Sequence, residues 1–217
     1  MPRYTHIFFD LDGTLTDSAP GILNSVRYAL ERLGAAVPER EALYAFIGPP
    51  LPDSFRDRCG FDPERAREAT RLYREYFEPR GLYENSVYPG IPALLERLRA
   101  SGLRLCVATS KPERFARRIL DHFGLTEAFD CIAGADLDGQ RSRKAEVLRY
   151  ALAQSGLGDP EKALMVGDRE HDVLGAREAG VDCLGVLYGY GSREELLEAG
   201  VRYLAETVPQ VGDLILG

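Results

Sequence analysis

The 217-residue sequence predicts an α/β protein with a parallel sheet, helices on both faces of that sheet, and a small helical domain inserted after the first strand. Two observations support this prediction. Short apolar runs alternate with longer amphipathic stretches, which is typical of right-handed β-α-β units. Residues 16–88 interrupt the alternation, because they contain helical patterns and no convincing strand pattern. We therefore expect an α/β core of residues 1–15 and 89–217 and an all-helical domain of residues 16–88.

The apolar runs supply the predicted strands of the core. Their length and their content of β-branched and aromatic residues are typical of buried strands. Glycines near the ends of the intervening helical patterns suit C-terminal caps, and a proline suits a first helical turn. Strands are expected over residues 4–9, 103–108, 131–133, 163–166 and 183–187, and helices over residues 92–100, 112–123, 143–154 and 171–179, with Gly102, Gly124, Gly156 and Gly180 as caps and Pro112 in a first turn.

The inserted segment contains helical patterns and little else. These patterns cover residues 21–33, 39–46, 51–58 and 63–77. The last one has the clearest start, because Asp62 is a typical N-cap residue and Pro63 follows at the first helical position.

The overall charge excludes some classes of function. Lys and Arg number 27 and Asp and Glu number 34, which gives a net charge of −7. Such an acidic chain is a poor binder of nucleic-acid backbones, which require clustered cations. No apolar run approaches the ~20 residues that span a bilayer. Residues 1–10 lack the layout of a secretion signal, so we expect a cytoplasmic protein whose four scattered cysteines are reduced and mostly buried.

Two carboxylates follow the first predicted strand. Asp10 and Asp12 are two positions apart, so an extended backbone would point both side chains the same way. Two carboxylates this close repel each other unless a cation offsets their charge. The alternative interpretation of the pair is a solvated Asp-Gly turn, which is common.

Hydroxyl and ammonium groups follow the second and third strands. Thr109, Ser110 and Lys111 lie between a strand end and a helix start, where hydroxyl groups and free backbone N–H groups can bind a phosphate. The alternative is that Thr109 or Ser110 merely caps the helix. Lys144 lies at the start of the next helix, where the alternative is an ordinary solvated lysine. The chain has only three lysines, Lys162 being the third, which suggests that a compact point charge is needed at Lys144.

Two more carboxylates follow the fourth strand. Asp168 is placed to join Asp10 and Asp12 in an all-oxygen cation site, which suits Mg²⁺. Asp172 lies in the first turn of the next helix, where the alternative role is a favourable interaction with the helix dipole. In open α/β sheets, ligands bind beyond the carboxyl ends of the strands. The sequence therefore predicts one site at this edge of the sheet.

These residues together resemble the four motifs of the haloacid dehalogenase (HAD) superfamily, which implies a Rossmann-like core. The helical insert looks like the C1-type cap of that superfamily. Residues 17–20, 46–51, 83–85 and 88–90 resemble its phosphoglycolate phosphatase and 5′-nucleotidase-like branch. The matching motif residues, in order, are Asp10-Leu11-Asp12-Gly13-Thr14, Thr109, Lys144 and Gly167-Asp168 with Asp172.

The resemblance implies a phosphatase that works through an aspartyl-phosphate. Asp10 would be the nucleophile, and Asp12 would protonate the leaving group and then activate water. Mg²⁺ would contact Asp10, Asp168 and the backbone carbonyl of Asp12. Asp172 would orient a metal-bound water or Lys144.

The remaining predicted roles concern binding of the substrate. Thr109 and Lys144 would bind the phosphate oxygens. Gly13, Thr14, Ser110 and Lys111 would line the phosphate site. In the cap, arginines such as Arg27 and Arg56 could meet a second anionic group of the substrate, and Arg56 is the predicted contact.

The expected substrate is a small phosphate ester, with phosphoglycolate first and a nucleoside monophosphate or pyrophosphate as the alternative. A dehalogenase would have no use for Asp12, Asp168 and a metal, because its leaving group needs no proton. A phosphonatase needs a cap lysine, and residues 16–88 contain none. The cap loop of residues 48–52 has no cation, which disfavours a β-phosphoglucomutase-like mutase. A signalling receiver module would be shorter, without a helical insert and with its acceptor on a middle strand. The chain is expected to be a monomer or a homodimer.

Overall fold

The computed structural model describes residues 3–136 and 141–217. The chain divides into two compact units, one of Met1–Thr16 and Val87–Gly217 and the other of Asp17–Ser86. The first predicted boundary, after residue 15, lies one residue before the observed boundary after Thr16. The second predicted boundary, after residue 88, lies two residues beyond the observed boundary after Ser86.

The first unit is built on a six-stranded parallel sheet, as predicted. The order of the strands is β5-β4-β1-β6-β7-β8, and every neighbouring pair is parallel. The strands are β1 (His6–Phe9), β4 (Arg104–Pro112), β5 (Cys131–Ala135), β6 (Ala163–Gly167), β7 (Asp182–Val186) and β8 (Tyr203–Ala205).

The register of the sheet brings the predicted site residues to one edge. Strand β1 lies between β4 and β6, and Phe9 pairs with Val107 on one side and Val166 on the other. The residues that follow these three positions therefore lie at the same level of the sheet. Asp10 follows at once, and Asp168 and Thr109 come two positions after their paired residues.

Helices cover both faces of this sheet, which confirms the predicted fold class. On the face that carries Phe8, Val147 of α7 and Val173 of α8 share one buried cluster with the strands. Helices α5, α6 and α10 contact the sheet without joining this cluster, which places them on the opposite face. The helices of this unit are α5 (Ile91–Ala100), α6 (Glu113–His122), α7 (Lys144–Ser155), α8 (Glu170–Glu178), α9 (Arg193–Glu198) and α10 (Val208–Leu216).

The second unit is helical. Its longest helices are α1 (Ala19–Arg32) and α4 (Pro63–Tyr76), with α2 (Arg40–Leu43) and α3 (Leu51–Cys59) between them. The carboxylate of Asp62 accepts hydrogen bonds from the backbone N–H groups of Glu64 and Arg65 at 2.9 and 2.8 Å, which confirms the predicted N-cap.

Several predicted elements were wrong in detail. The helix expected over residues 39–46 is the single turn α2 followed by a 3₁₀ turn at Tyr44–Phe46. Pro112 is the last residue of β4 and precedes α6, so it does not lie in a helical turn. The segment expected to lack strands begins and ends in two-residue strands, β2 (Thr16–Asp17) and β3 (Ser86–Val87), which form a sheet of their own. The prediction also missed β8, α9 and α10.

The predicted glycine caps all have the left-handed backbone that glycine favours.

None of the helices in the described part of the chain has the length and apolar character needed to cross a membrane.

Candidate active site

Three buried carboxylates converge at the carboxyl edge of the sheet. Asp10, Asp168 and Asp172 each offer one oxygen, and these oxygens lie within 4.8 Å of one another. Burial raises the pKa of Asp168 well above its ordinary value, and the nearby charges of Asp172 and Asp10 add to this effect. The cluster therefore stores electrostatic repulsion that a cation would relieve.

Lys144 neutralises part of this cluster. Its Nζ lies 2.8 Å from Oδ1 of Asp10 and 2.8 Å from Oδ1 of Asp172. The same ammonium donates to the carbonyl of Ala108 at 3.0 Å. Burial alone would lower the pKa of Lys144, but the charges of the two carboxylates and its hydrogen bonds to them outweigh burial and raise it. Lys144 thus stays charged and ties β1, β4 and α8 together.

Asp172 is fixed by its contacts with the backbone as well as with Lys144. Its Oδ2 accepts a hydrogen bond from the N–H of Arg169 at 3.1 Å. Burial raises its pKa, and the charge of Lys144 opposes that rise. Gly167 makes room for this carboxylate, because a Cβ at position 167 would lie 2.2 Å from Cγ of Asp172.

Asp168 is held by two loops. Oδ1 accepts a hydrogen bond from the hydroxyl of Thr14 at 3.3 Å, and Oδ2 accepts one from the N–H of Tyr190 at 2.8 Å. Gly13 has φ +85°, and a Cβ there would lie 2.2 Å from Oδ2 of Asp168. The glycine is needed both for its backbone conformation and for the close approach of the carboxylate.

Asp12 has a different partner from Asp10. Oδ2 of Asp12 lies 2.9 Å from Nζ of Lys111, and both side chains are nearly buried. Among the described residues, the carboxylates close enough to share one ion are those of Asp10, Asp168 and Asp172, so the Asp12 side chain lies outside that group. The predicted contact between Asp12 and a metal through its backbone carbonyl stays a prediction.

The other predicted binding residues differ in burial and lie in both units of the chain. Thr109 is buried inside β4, which continues to Pro112 and so contains the residues that were predicted to follow the strand. Its hydroxyl accepts a hydrogen bond from the N–H of Lys111 at 3.2 Å. Ser110 is half-buried beside it. Arg56 belongs to the other unit, where its side chain is exposed and lies 3.9 Å from Asp53.

The loop that follows β7 contributes to the site and was not predicted from the sequence. Tyr188 donates from its hydroxyl to the carbonyl of Thr14 at 3.1 Å, and Tyr190 supports Asp168 through its N–H. Glu195 on α9 accepts from Nε of Arg169 at 2.7 Å and from the N–H of Glu170 at 2.9 Å. The signal was present in the sequence, because this loop also follows the carboxyl end of a predicted strand.

Comparison with known proteins identifies the family of this chain. The family profile described as haloacid dehalogenase-like hydrolase matches residues 7–186. The chain belongs to this family. This confirms the resemblance and the prediction of a hydrolase of the phosphatase type.

Curated relatives in this family carry different names. A 5′-nucleotidase of Pseudomonas aeruginosa is 53% identical over 194 residues, which cover 89% of this chain and 87% of the relative. The tyrosine-protein kinase PtkA of Mycobacterium tuberculosis is 50% identical over 185 residues, 85% of this chain but only 62% of the kinase. Phosphoglycolate phosphatase 1 of P. aeruginosa is 34% identical over 206 residues, 91% of this chain and 74% of the relative.

A solved structure shows the same architecture. A predicted phosphatase from Clostridium acetobutylicum superposes with a TM-score of 0.95 and 46% sequence identity, over 98% of each chain.

Proposed function

We propose that this protein is a Mg²⁺-dependent phosphomonoester hydrolase that acts on a small phosphorylated metabolite through an aspartyl-phosphate. The observation that carries the proposal is the buried cluster of Asp10, Asp168 and Asp172, with Lys144 bound to two of its members. Burying so much charge costs free energy of folding. Such buried charges are typical of sites where charged side chains perform chemistry that neutral side chains cannot.

The donor set fits Mg²⁺. It offers only carboxylate oxygens, which hard divalent cations prefer, and the three acids carry more negative charge than Lys144 offsets. Asp10 and Asp168 are the proposed side-chain ligands, and Asp172 orients the site from its position against Lys144. Bound Mg²⁺ would offset the repulsion between the anionic nucleophile and the anionic phosphate.

Asp10 is the proposed nucleophile. One of its carboxylate oxygens forms a bond to phosphorus as the bond between phosphorus and the ester oxygen breaks. Asp12 gives its proton to that departing oxygen. In the second step, Asp12 takes a proton from the water that attacks phosphorus, which releases inorganic phosphate and restores Asp10.

Thr109 and Lys144 are the proposed partners of the phosphate oxygens. The transferring phosphoryl group carries its charge on three equatorial oxygens, so a cation and a hydroxyl fixed in advance stabilise the transition state. Lys144 is already fixed by Asp10, Asp172 and the carbonyl of Ala108.

For the substrate, the comparisons favour a nucleoside 5′-monophosphate over phosphoglycolate, which sequence analysis placed first. The 5′-nucleotidase is 53% identical to this chain, whereas the phosphoglycolate phosphatase is 34% identical. The unit of residues 17–86 is the proposed source of this selectivity, because the motif residues all belong to the other unit.

The test is a phosphate-release screen on protein treated with EDTA and then assayed with and without added Mg²⁺. The substrates are AMP, phosphoglycolate, glucose 6-phosphate, pyrophosphate and p-nitrophenyl phosphate. We expect repeated turnover only with Mg²⁺, and a higher kcat/KM for AMP than for phosphoglycolate. Full activity after chelation, checked by metal analysis, would contradict the metal role.

One further arm of the screen addresses the kinase-named relative. The protein is incubated with ATP labelled at the γ-phosphate, and phosphotyrosine is measured in the protein and in a Glu-Tyr copolymer. We expect no labelled tyrosine, because the proposed acceptor of the phosphoryl group from Asp10 is water. Labelled tyrosine at a rate exceeding phosphate release would show that the chain is a kinase instead.

A further inference from the structure

Lys111 reaches the active site because strand β4 is irregular next to it. Thr109 of β4 pairs with Gly134 of β5, and Pro112 pairs with Ala135, the very next residue of β5. The stretch from Thr109 to Pro112 therefore contains two residues more than its partner strand. Bulges of this kind redirect side chains and are common beside active sites. Here the bulge contains Lys111.

The side chain that the bulge redirects is buried against Asp12. Nζ of Lys111 lies 2.9 Å from Oδ2 of Asp12, and the two side chains are 5% and 11% exposed. Only three of the 27 cationic residues of the chain are lysines. A buried ammonium is costly unless it is paired, so this lysine is not an ordinary surface charge.

The two oxygens of Asp12 are not equivalent. Oδ2 is paired with Lys111, whereas Oδ1 is buried and accepts no hydrogen bond from any residue that the structure describes. A buried carboxylate oxygen without a partner costs free energy, and a proton bound to that oxygen lowers the cost. The ion pair therefore fixes which oxygen of Asp12 is available for chemistry.

We propose that Lys111 is a positioning residue that holds Asp12 by Oδ2, so that Oδ1 faces the oxygen of the leaving group. This inference rests on the proposed function and replaces the phosphate-binding role that sequence analysis gave to Lys111. When the ester bond breaks, the proton on Oδ1 of Asp12 moves to the departing oxygen. Lys111 keeps its own protons and forms no bond to the substrate.

The first test compares two aryl esters that differ in their need for a general acid. Phenolate is a poorer leaving group than p-nitrophenolate, so phenyl phosphate depends more on a correctly placed Asp12. In Lys111→Met we expect kcat/KM for phenyl phosphate to fall on the order of 10²-fold. The value for p-nitrophenyl phosphate should fall far less. Lys162→Met, which removes an exposed lysine, is the matched control and should change neither value.

The alternative role of Lys111 gives a different pattern. If Lys111 binds the phosphate, both esters lose kcat/KM by the same factor, because they share that group. Equal losses would overturn the proposal. Lys111→Arg keeps the charge and should recover part of the preference between the two esters that Lys111→Met loses.

A second readout does not depend on activity. Free energies of unfolding are measured in EDTA for the wild type, Lys111→Met, Asp12→Asn and the double variant. We expect the double variant to lose less stability than the sum of the two single variants, because either single change already removes the ion pair between Lys111 and Asp12. Additive losses of stability would contradict an energetic coupling between Lys111 and Asp12. If the wild type hydrolyses neither ester, the proposed function fails, while this cycle still tests the pair on its own.

Discussion

The two compact units hold their charges in different ways. In the unit of residues 1–16 and 87–217, Lys144 and Lys111 are buried against the carboxylates of the candidate active site. In the unit of residues 17–86, all of which the structure describes, no charged side chain is fully buried, and many are exposed, as with Arg71, which pairs with Glu68 at 2.8 Å and with Glu75 at 3.3 Å. Exposed pairs of this kind contribute little to stability, whereas buried charges are costly to keep.

This difference indicates where the chemistry resides. A fold does not need three carboxylates and a lysine in its interior, so we expect these four residues to take part in the reaction. The same contrast predicts that substitutions in the first unit act mainly on activity and metal binding, whereas substitutions of surface charges in the second unit act weakly.

The largest effect is expected from Asp10→Asn. The amide keeps the size of the side chain but removes the nucleophile, so kcat should fall by on the order of 10³-fold or more. The measurement is phosphate release from p-nitrophenyl phosphate in saturating Mg²⁺, with circular dichroism to verify the fold. Asp57→Asn, an exposed change in the other unit, is the control and should retain full activity. Wild-type turnover by Asp10→Asn would refute the assignment of the nucleophile.

A second effect concerns the metal. Mg²⁺ that binds the folded protein should raise its melting temperature, and Asp168→Asn should lose most of this rise because it removes a proposed ligand. Thermal unfolding is followed from zero to tens of millimolar Mg²⁺ for the wild type, Asp168→Asn and Asp57→Asn. An undiminished rise in Asp168→Asn would place the metal elsewhere.

A third and smaller effect separates backbone strain from crowding at the site. Gly13→Ala and Gly34→Ala both place a side chain at positive φ, +85° and +61°. A Cβ at position 13 meets the Asp168 carboxylate at 2.2 Å, whereas a Cβ at position 34 has nothing within 4 Å. We expect each variant to lose about 1 kcal/mol of stability through strain, with a further loss and weaker Mg²⁺ binding only in Gly13→Ala. If urea unfolding shows equal losses of unfolding free energy in the two variants, the close approach of position 13 to the Asp168 carboxylate does not affect stability.

The smallest effect is expected from Arg56→Ala. This side chain is 53% exposed and lies 3.9 Å from Asp53, so its removal should change the free energy of unfolding by less than about 0.5 kcal/mol. If it meets the substrate as sequence analysis predicts, the KM for AMP should rise a few-fold while kcat stays the same. Arg58→Ala, on the same helix, is the control. An unchanged KM in Arg56→Ala would leave Arg56 as an ordinary surface charge.

Most strands of the sheet could be predicted from the sequence, because a parallel sheet is buried on both faces and its strands are continuous apolar runs. Strand β8 was missed because Tyr203–Ala205 has only three residues and is half-exposed over most of its length. The helix that follows Asp62 was predicted to begin at Pro63, where α4 begins, because its N-cap has a clear sequence pattern.

The site was harder to predict than the sheet. The positions of Asp10 and Asp168 follow from strand ends alone, since the register of β1 and β6 brings them together. The pairing of Lys111 with Asp12 does not follow, because it depends on a bulge that no sequence pattern announced. The support that Tyr190 gives to Asp168 is a backbone hydrogen bond, which the identity of a side chain does not reveal.

The proposed roles of Asp10 and Asp168 are tested most directly by a crystal structure of the protein grown with Mg²⁺ and beryllium fluoride, which mimics a phosphoryl group on a carboxylate. We expect beryllium bonded to a carboxylate oxygen of Asp10, and a Mg²⁺ ion that Asp168 ligates at ~2.1 Å. Beryllium fluoride bound to any other side chain, or Mg²⁺ that does not contact Asp168, would contradict these roles.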